Sequence, residues 1–265
     1  HRHDWRLGGA VCPEIDVPGS ATNEQKMWGE MRHLLGGAAS IAGAGLGPGF
    51  LRNLEDHDVD LSTFPLGDSN GTTQVNGCDY PRIDQADSVL KHKAYVAHVA
   101  EGIAATAANE FQCLSRTDNG GQDVTEPVST FIHGVGLTAD DFREMVENET
   151  GLNWSPRSNI SLYGDTARVT AFAALGGQLS IGTDWTASGS INMLRELACA
   201  DYLNKNHFGG YFSDWDLWRM ATSAAARSVG AHDWLGSLQA GFAGDVTIFD
   251  GREHQDFRAI LDATP

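Results

Sequence analysis

Three short apolar runs of this chain each lead to a side chain suited to metal binding or proton transfer. The first carries His98 near its end and is followed by Glu101, while the second ends on His133. The third leads to Asp184. Such runs, bounded by turn residues, indicate buried strands of a parallel sheet. The carboxyl ends of parallel strands share one edge, where α/β enzymes keep their chemistry, so we expect these side chains to lie together.

The alternation of strands and helices, about one pair every 25–40 residues, is typical of parallel β/α units. Six such units are visible, and eight would close a (β/α)8 barrel of about 250 residues. We therefore predict an α/β fold, a TIM-type barrel that lacks its first strand. The predicted strands span 38–43, 59–66, 94–99, 128–133, 152–155, 178–181 and 247–249; the predicted helices cover 23–35, 84–92, 106–114, 138–148, 166–175, 188–204 and 214–226, with another beginning at 48–54.

The charge of the chain excludes some classes of partner. The formal net charge is −17, which argues against binding to nucleic acid or an anionic membrane, because phosphate binding needs clustered Lys and Arg. No apolar run approaches the roughly 18 residues that span a bilayer. We expect a small-molecule substrate, no nucleic-acid partner and no membrane.

The four cysteines are widely spaced and form no C-x-x-C pair: Cys12, Cys78, Cys113 and Cys199. This pattern favours free thiols in a reducing compartment over a disulfide framework. No signal peptide is visible, so we predict a cytoplasmic protein.

Two polar segments are candidates for substrate contact. Arg157, Ser158 and Asn159 follow a predicted strand and can face a substrate or form a structured turn. Trp185 follows Asp184 and can line a pocket or simply pack. Ser188 and Ser190, further along, are predicted to cap the next helix.

Four other candidate residues have alternative interpretations. His133 can ligate a metal, hold a water or substrate oxygen, or be a satisfied core histidine. Glu101 can be a proton carrier whose pKa is raised by burial, or a solvated or helix-capping loop acid. His1 and His3 have H-x-H spacing but no apolar lead-in, so we predict a solvated arm there.

Taken together, these motifs resemble the amidohydrolase superfamily, in the branch of cytosine, guanine and S-adenosylhomocysteine deaminases and triazine hydrolases. The order and spacing of the motifs are specific, although each motif alone is loose. The matching segments are HVAE at 98–101, HGVGLT at 133–138, SPRSNISL at 155–162, GTD at 182–184 and the tail 236–249.

The resemblance implies one divalent metal, with zinc preferred and iron as the alternative. It makes His98 and Asp184 metal ligands and gives Asp184 a second role as a base. It implies that Glu101 passes a proton to the leaving group or to a ring nitrogen and that His133 orients the attacking water or polarises the substrate. The reaction class implied is hydrolysis of an amide, amidine or ring amino C–N bond.

The resemblance also implies four metal ligands in all, of which two come from an H-x-H on the first barrel strand. The chain departs from this pattern at its start, because we find no H-x-H on a buried strand before residue 38, and we expect a fragment of a longer protein. The expected organisation is an incomplete hydrolase barrel at 1–240 and the start of the return into a small β-sandwich at 241–265. A homodimer is a family-level expectation only.

Two alternatives stay open at this point. The chain can be an inactive, truncated or degenerate barrel with an incomplete site, in which the metal is absent. It can also be a phosphotriesterase-like or dipeptidase-like metal enzyme, which is disfavoured because no bridging Lys or Glu is visible.

Overall fold

The computed structural model describes residues 1–8, 14–15, 21–43 and 49–263. A parallel sheet of five strands in sequential order, β3-β4-β5-β6-β7, forms its centre. A separate parallel pair, β1 and β2, precedes it. The strands are β1 (Ser40–Ile41), β2 (Arg52–Asn53), β3 (Val59–Ser62), β4 (Ala94–Val99), β5 (Ser129–His133), β6 (Gly151–Trp154) and β7 (Leu179–Ile181).

Helices connect the strands of the main sheet, as parallel β/α units require. The helices are α1 (Arg2–Leu7), α2 (Asn23–Leu35), α3 (Ala86–Val89), α4 (Ala105–Leu114), α5 (Ala139–Glu147), α6 (Pro156–Tyr163), α7 (Val169–Ala174), α8 (Met193–Asn206), α9 (Asp214–Met220), α10 (Ser223–Ser228) and α11 (Arg258–Leu261), with a 3-10 turn at Leu54–His57. Helix α5 begins where the sequence predicts, because Thr138 and Asp141 form a reciprocal capping box.

The two faces of strand β4 pack against different clusters. Tyr95, Ala97 and Val99 belong to the main core, which includes side chains of α4, α5 and α7. Ala94 and Val96 belong to a smaller cluster on the other face. Side chains alternate along a strand, so His98 shares the face of Ala94 and Val96 and points away from the main core.

The register aligns the carboxyl ends of the strands. Val99 of β4 pairs with His133 of β5, and Trp154 of β6 pairs with Ile181 of β7. The last residues of four neighbouring strands therefore lie along one edge, and the loops that follow them meet there.

Several sequence predictions need correction. Five strands form the main sheet, and no pairing closes it into a barrel within the described ranges. Residues 52–53, predicted as part of a helix, form a strand. Residues 247–249, predicted as a strand, are described by the structure but have no strand conformation. The segment after Trp154 is helix α6, with Pro156 in its first turn, instead of a loop. The predicted helix 214–226 is two helices, and Asn192, not Ser188 or Ser190, caps α8.

The prediction of free thiols is wrong for two cysteines. Cys78 and Cys113 form a disulfide, with their Cα atoms 5.5 Å apart. A separation of 35 residues gave no local signal for the pair. Cys199 has a free, half-buried thiol, and burial raises its pKa to about 11. Cys12 lies outside the described residues.

No helix in the described portion of the chain has the length and apolar character needed to cross a membrane.

Breaking the disulfide should destabilise the protein. Replacing Cys78 and Cys113 with Ser opens a loop that spans 35 residues, which should lower the free energy of unfolding by about 2–4 kcal/mol. Equilibrium urea unfolding measures this loss. Cys199→Ser is the matched control, and because this side chain is only partly buried the change should lower the free energy of unfolding by about 1 kcal/mol or less. Alkylation of Cys78 and Cys113 in the native protein without reductant would contradict the pairing.

Candidate metal centre

His98 lies near the end of β4 with one ring nitrogen engaged. Its Nδ1 is 3.4 Å from the carbonyl oxygen of Ser62, at the end of β3. If Nδ1–H donates to this carbonyl, Nε2 is left with a lone pair. Burial and, secondarily, the neighbouring His133 lower the pKa of His98. The neutral imidazole that results is the form that binds metals.

His133 ends β5 in a left-handed backbone conformation, with φ of +75°. Its Nδ1 is 3.0 Å from Oδ1 of Asn159 on α6, so Nδ1–H donates to the amide oxygen. Its Nε2 is buried and has no hydrogen-bond partner. A buried polar nitrogen without a partner is costly unless a ligand completes it.

Asp184 follows β7 by three residues and also has a left-handed backbone, with φ of +55°. This conformation is uncommon outside glycine, although Asp and Asn adopt it more readily than other residues. It brings Oδ2 to 4.0 Å from Nε2 of His133. Residues held in such conformations cluster at active sites, which agrees with the position of both residues.

The three side chains converge on one point. One ligand atom from each of His98, His133 and Asp184 lies within 4.8 Å of the others. Two imidazole nitrogens and a carboxylate oxygen suit Zn²⁺ and related divalent ions. The residues present therefore fit a divalent cation, and three protein ligands are the number that catalytic zinc sites commonly use.

Glu101 stands beside this cluster. Tyr163 donates its hydroxyl hydrogen to Oε1 of Glu101 at 2.8 Å, and Oε2 lies 3.6 Å from Nε2 of His133. The predicted upward shift of its pKa is wrong. Burial alone would raise this pKa, but His133, His98 and Arg2 together lower it below the usual value. Glu101 is thus held as a carboxylate that faces the cluster.

The four predicted substrate residues lie in different surroundings. Ser158 is buried and bonds to Ser188, and Asn159 is buried against His133. Trp185 is half-buried and donates from its indole nitrogen to Ser188. Arg157 is exposed and lines a cavity of about 390 Å³ beside the loop that follows Asp184. None of the three candidate metal ligands lines this cavity.

The prediction of a solvated arm at residues 1–3 is wrong. His1, Arg2 and His3 are between 4% and 8% exposed. Their partners are two buried carboxylates, Asp68 and Glu110, which lie 65 to 109 residues away in the sequence. The ion pairs of Arg2 and the hydrogen bonds of the two histidines with these carboxylates explain the burial of so polar a segment, and no local pattern could have revealed partners so distant.

A parallel α/β sheet with two histidines and an aspartate at its carboxyl edge has the architecture of a metal-binding α/β enzyme. The family model described as "Amidohydrolase family" matches residues 65–264. The chain belongs to the amidohydrolase family, as the motifs in its sequence indicate.

Relatives and solved structures agree with this membership. The 5-methylthioadenosine/S-adenosylhomocysteine deaminase of Desulforamulus reducens is 31% identical over 124 residues, which is 46% of this chain and 29% of that protein. An adenosine deaminase of Xanthomonas campestris with bound zinc matches with a TM-score of 0.54 and 21% identity, over 67% of this chain and 43% of that one. The zinc complex of atrazine chlorohydrolase from Arthrobacter aurescens TC1 has a TM-score of 0.53 and 17% identity, over 85% and 56%.

In each case the match covers less than two thirds of the other protein. The two structural likenesses establish a shared fold.

Proposed function

We propose that the protein is a metal-dependent hydrolase that cleaves a C–N bond at an sp² carbon of a small molecule. The observation that carries this proposal is the convergence of His98, His133 and Asp184 at the carboxyl edge of the sheet, with Glu101 beside them. Chain-distant residues of metal-binding type rarely meet in this way without a ligand to share.

His98, His133 and Asp184 would hold one divalent cation, with zinc preferred over iron. Such a cation supplies a Lewis acid that makes water a nucleophile near neutral pH. The side-chain oxygen of Asn159 accepts the Nδ1–H of His133 and so fixes its ring, which leaves Nε2 of His133 to face the site. Ser62 does the same for His98 through its carbonyl oxygen.

Glu101 would carry the proton that the leaving nitrogen needs. Tyr163 holds one carboxylate oxygen, so the other stays directed at the site. In the overall reaction water adds to the sp² carbon and the C–N bond breaks. The proton that the nitrogen leaves with comes from that water. Asp184 lies close enough to the same point to accept it, and Glu101, which is a carboxylate at the outset, would receive it and pass it to the nitrogen.

The substrate class we propose is a purine, pyrimidine, triazine or cyclic amide ring. The names of the relative and of the solved structures support it, since they are a 5-methylthioadenosine/S-adenosylhomocysteine deaminase, an adenosine deaminase and an atrazine chlorohydrolase. Arg157, Ser158, Asn159 and Trp185 remain our candidates for substrate contact. Of these, Asn159 is directly hydrogen-bonded to a candidate ligand, and Arg157 lines the neighbouring cavity.

The wider organisation is also a proposal. Residues 1–240 would form a TIM-type barrel domain and 241–265 would begin the return into a small β-sandwich. A homodimer is still expected from the family alone. The cytoplasmic location stays a prediction. The Cys78–Cys113 disulfide is an observation against it, because such bonds are rare in the cytosol.

An inactive, degenerate barrel is not favoured. The buried Nε2 of His133 has no partner, and two residues of the site have uncommon left-handed backbones. Such features are retained where a ligand or a reaction uses them.

Ammonia release from ring amines tests the proposal. The natural polypeptide that contains this sequence would be assayed with adenosine, guanine, cytosine and an aminotriazine, before and after removal of metal by a chelator. We expect at least one substrate to be hydrolysed, activity to be lost on chelation, and one equivalent of Zn²⁺ to restore it. Activity that survives complete metal removal would contradict the proposal, as would the failure of Zn²⁺ to bind.

A further inference from the structure

We propose that the buried ion pair of Arg2 and Glu110 positions Glu101, and this inference rests on the proposed role of Glu101 as the proton carrier. Neither Arg2 nor Glu110 belongs to the candidate metal centre. Both are almost completely buried, with side chains 4% and 1% exposed. They contact the turn that carries Glu101, residues 100–103, from two directions.

Glu110 holds the amino side of the turn. Its Oε2 accepts the backbone N–H of Ala100 at 2.8 Å and a hydrogen from Nη1 of Arg2 at 3.0 Å. Glu110 lies on α4, immediately after the turn, so strand, turn and helix are joined through one carboxylate. The bond to Ala100 fixes the residue directly before Glu101.

Arg2 holds the carboxyl side of the same turn. Its backbone N–H donates to the carbonyl oxygen of Glu101 at 3.1 Å. A Cβ at Gly102 would lie 2.8 Å from Cα of His1, so the backbone of residues 1–2 packs directly on the turn. The guanidinium of Arg2 also reaches Asp68 at 2.6 Å, which anchors the whole segment to the loop after β3.

The turn needs this support because its backbone is unusual. Ala100 has φ of +53°, a region that alanine rarely adopts, and Gly102 has φ of +142°. A backbone of this kind persists only when its surroundings determine it. Without Glu110, Ala100 would be free to relax and the carboxylate of Glu101 would move away from His133.

Each carboxylate near the turn has a separate task. Burial raises the pKa of Glu110 to about 7, whereas that of Glu101 is lowered. Glu110 is enclosed by Arg2, His1 and the backbone of Ala100, while Glu101 faces the candidate ligands. Glu110 therefore acts on the reaction only through the turn, which makes it a positioning residue.

The test compares Glu110→Ala with Glu110→Gln in the natural polypeptide. The alanine variant removes the acceptor of the Ala100 N–H, whereas the amide oxygen of glutamine can still accept it. A misplacement of about 1 Å at a reacting group can cost about 100-fold in rate. We expect Glu110→Ala to lower kcat about 10- to 100-fold, with KM and metal content little changed, and Glu110→Gln to recover most of the loss.

Asp201→Ala is the matched control. Asp201 is a mostly buried carboxylate on α8 that pairs with Arg258 and with Lys205 of the same helix. Its loss should lower stability while kcat stays within about twofold of the wild type. If Glu110→Ala does not fold, Glu110→Leu combined with Arg2→Met replaces it, because this pair removes both charges together and also removes the acceptor of the Ala100 N–H, with a similar expected loss of kcat.

Hydrogen exchange supplies a readout that does not depend on activity. We expect the amides of 100–103 to exchange at least about tenfold faster in Glu110→Ala, or in the double variant, than in the wild type or Asp201→Ala. Unchanged exchange in the turn would overturn the inference, as would a kcat equal to that of the control. An inactive wild type would refute the proposed function instead, and exchange would still show whether the pair holds the turn.

Discussion

Asp184→Asn should lower kcat for C–N hydrolysis about 1,000-fold. Asn has nearly the same volume and adopts a left-handed backbone as readily as Asp, so the local fold should persist. What is lost is a negative charge 4.0 Å from His133 and a group able to take a proton from water. The loss of a positioned acid or base typically costs 10²–10⁴-fold, and the weakening of the metal site adds to it. Steady-state assays with the best substrate of the panel measure the loss.

Asp140→Asn is the matched control for this variant. Asp140 lies on the exposed face of α5, with its side chain 89% exposed, and should have no effect on kcat. An Asp184→Asn enzyme with more than about a tenth of the wild-type kcat would show that this carboxylate neither binds the metal nor acts as the base.

Glu101→Gln should lower kcat about 100- to 1,000-fold and leave the metal content unchanged. The amide has the same shape and can still accept the hydrogen bond from Tyr163, but it cannot carry a proton. Because Glu101 lies beside the three ligand atoms and is not one of them, the cation should remain bound. Parallel kinetics and elemental analysis separate the two quantities.

Glu147→Gln, on the exposed end of α5, controls for the loss of one acidic group. Loss of metal from Glu101→Gln would make Glu101 a ligand and would contradict its assignment as the proton carrier. Substrates with better leaving groups should lose less rate than poor ones, since they need less protonation.

The residues that end the strands were predictable because two constraints coincide. Buried parallel strands appear as short apolar runs, and whatever polar residue follows them must lie at the carboxyl edge. The strand Ala94–Val99 was predicted with its observed limits, and the helix predicted from residue 138 begins as α5 directly after its cap, Thr138. From these positions alone the convergence of His98, His133 and Asp184 could be expected, and the structure places them together.

What the sequence could not reveal is pairing over long distances. The burial of Arg2 depends on Asp68 and Glu110, and the disulfide depends on the approach of Cys78 to Cys113. Neither pairing leaves a local pattern. The sign of the pKa shift of Glu101 was missed for the same reason, since it depends on two histidines and an arginine that the fold brings close.

The prediction of a turn after β6 was wrong for a local reason. Ser, Pro and Asn favour turns, but Pro also suits the first turn of a helix, and α6 begins there. Asn159 of this helix, predicted to contact substrate, accepts a hydrogen bond from His133. Its predicted role in substrate binding stays a prediction.

X-ray absorption of the zinc-loaded natural polypeptide tests the central claim most directly. We predict one zinc per chain, with imidazole nitrogens at about 2.0–2.1 Å and a carboxylate oxygen at about 2.0–2.2 Å in its first shell. The nitrogen contribution to the zinc shell should fall in each of the two single variants, His98→Ala and His133→Ala. A zinc shell that is unchanged in both variants, or a chain that binds no zinc, would contradict the assignment of these residues as the metal centre.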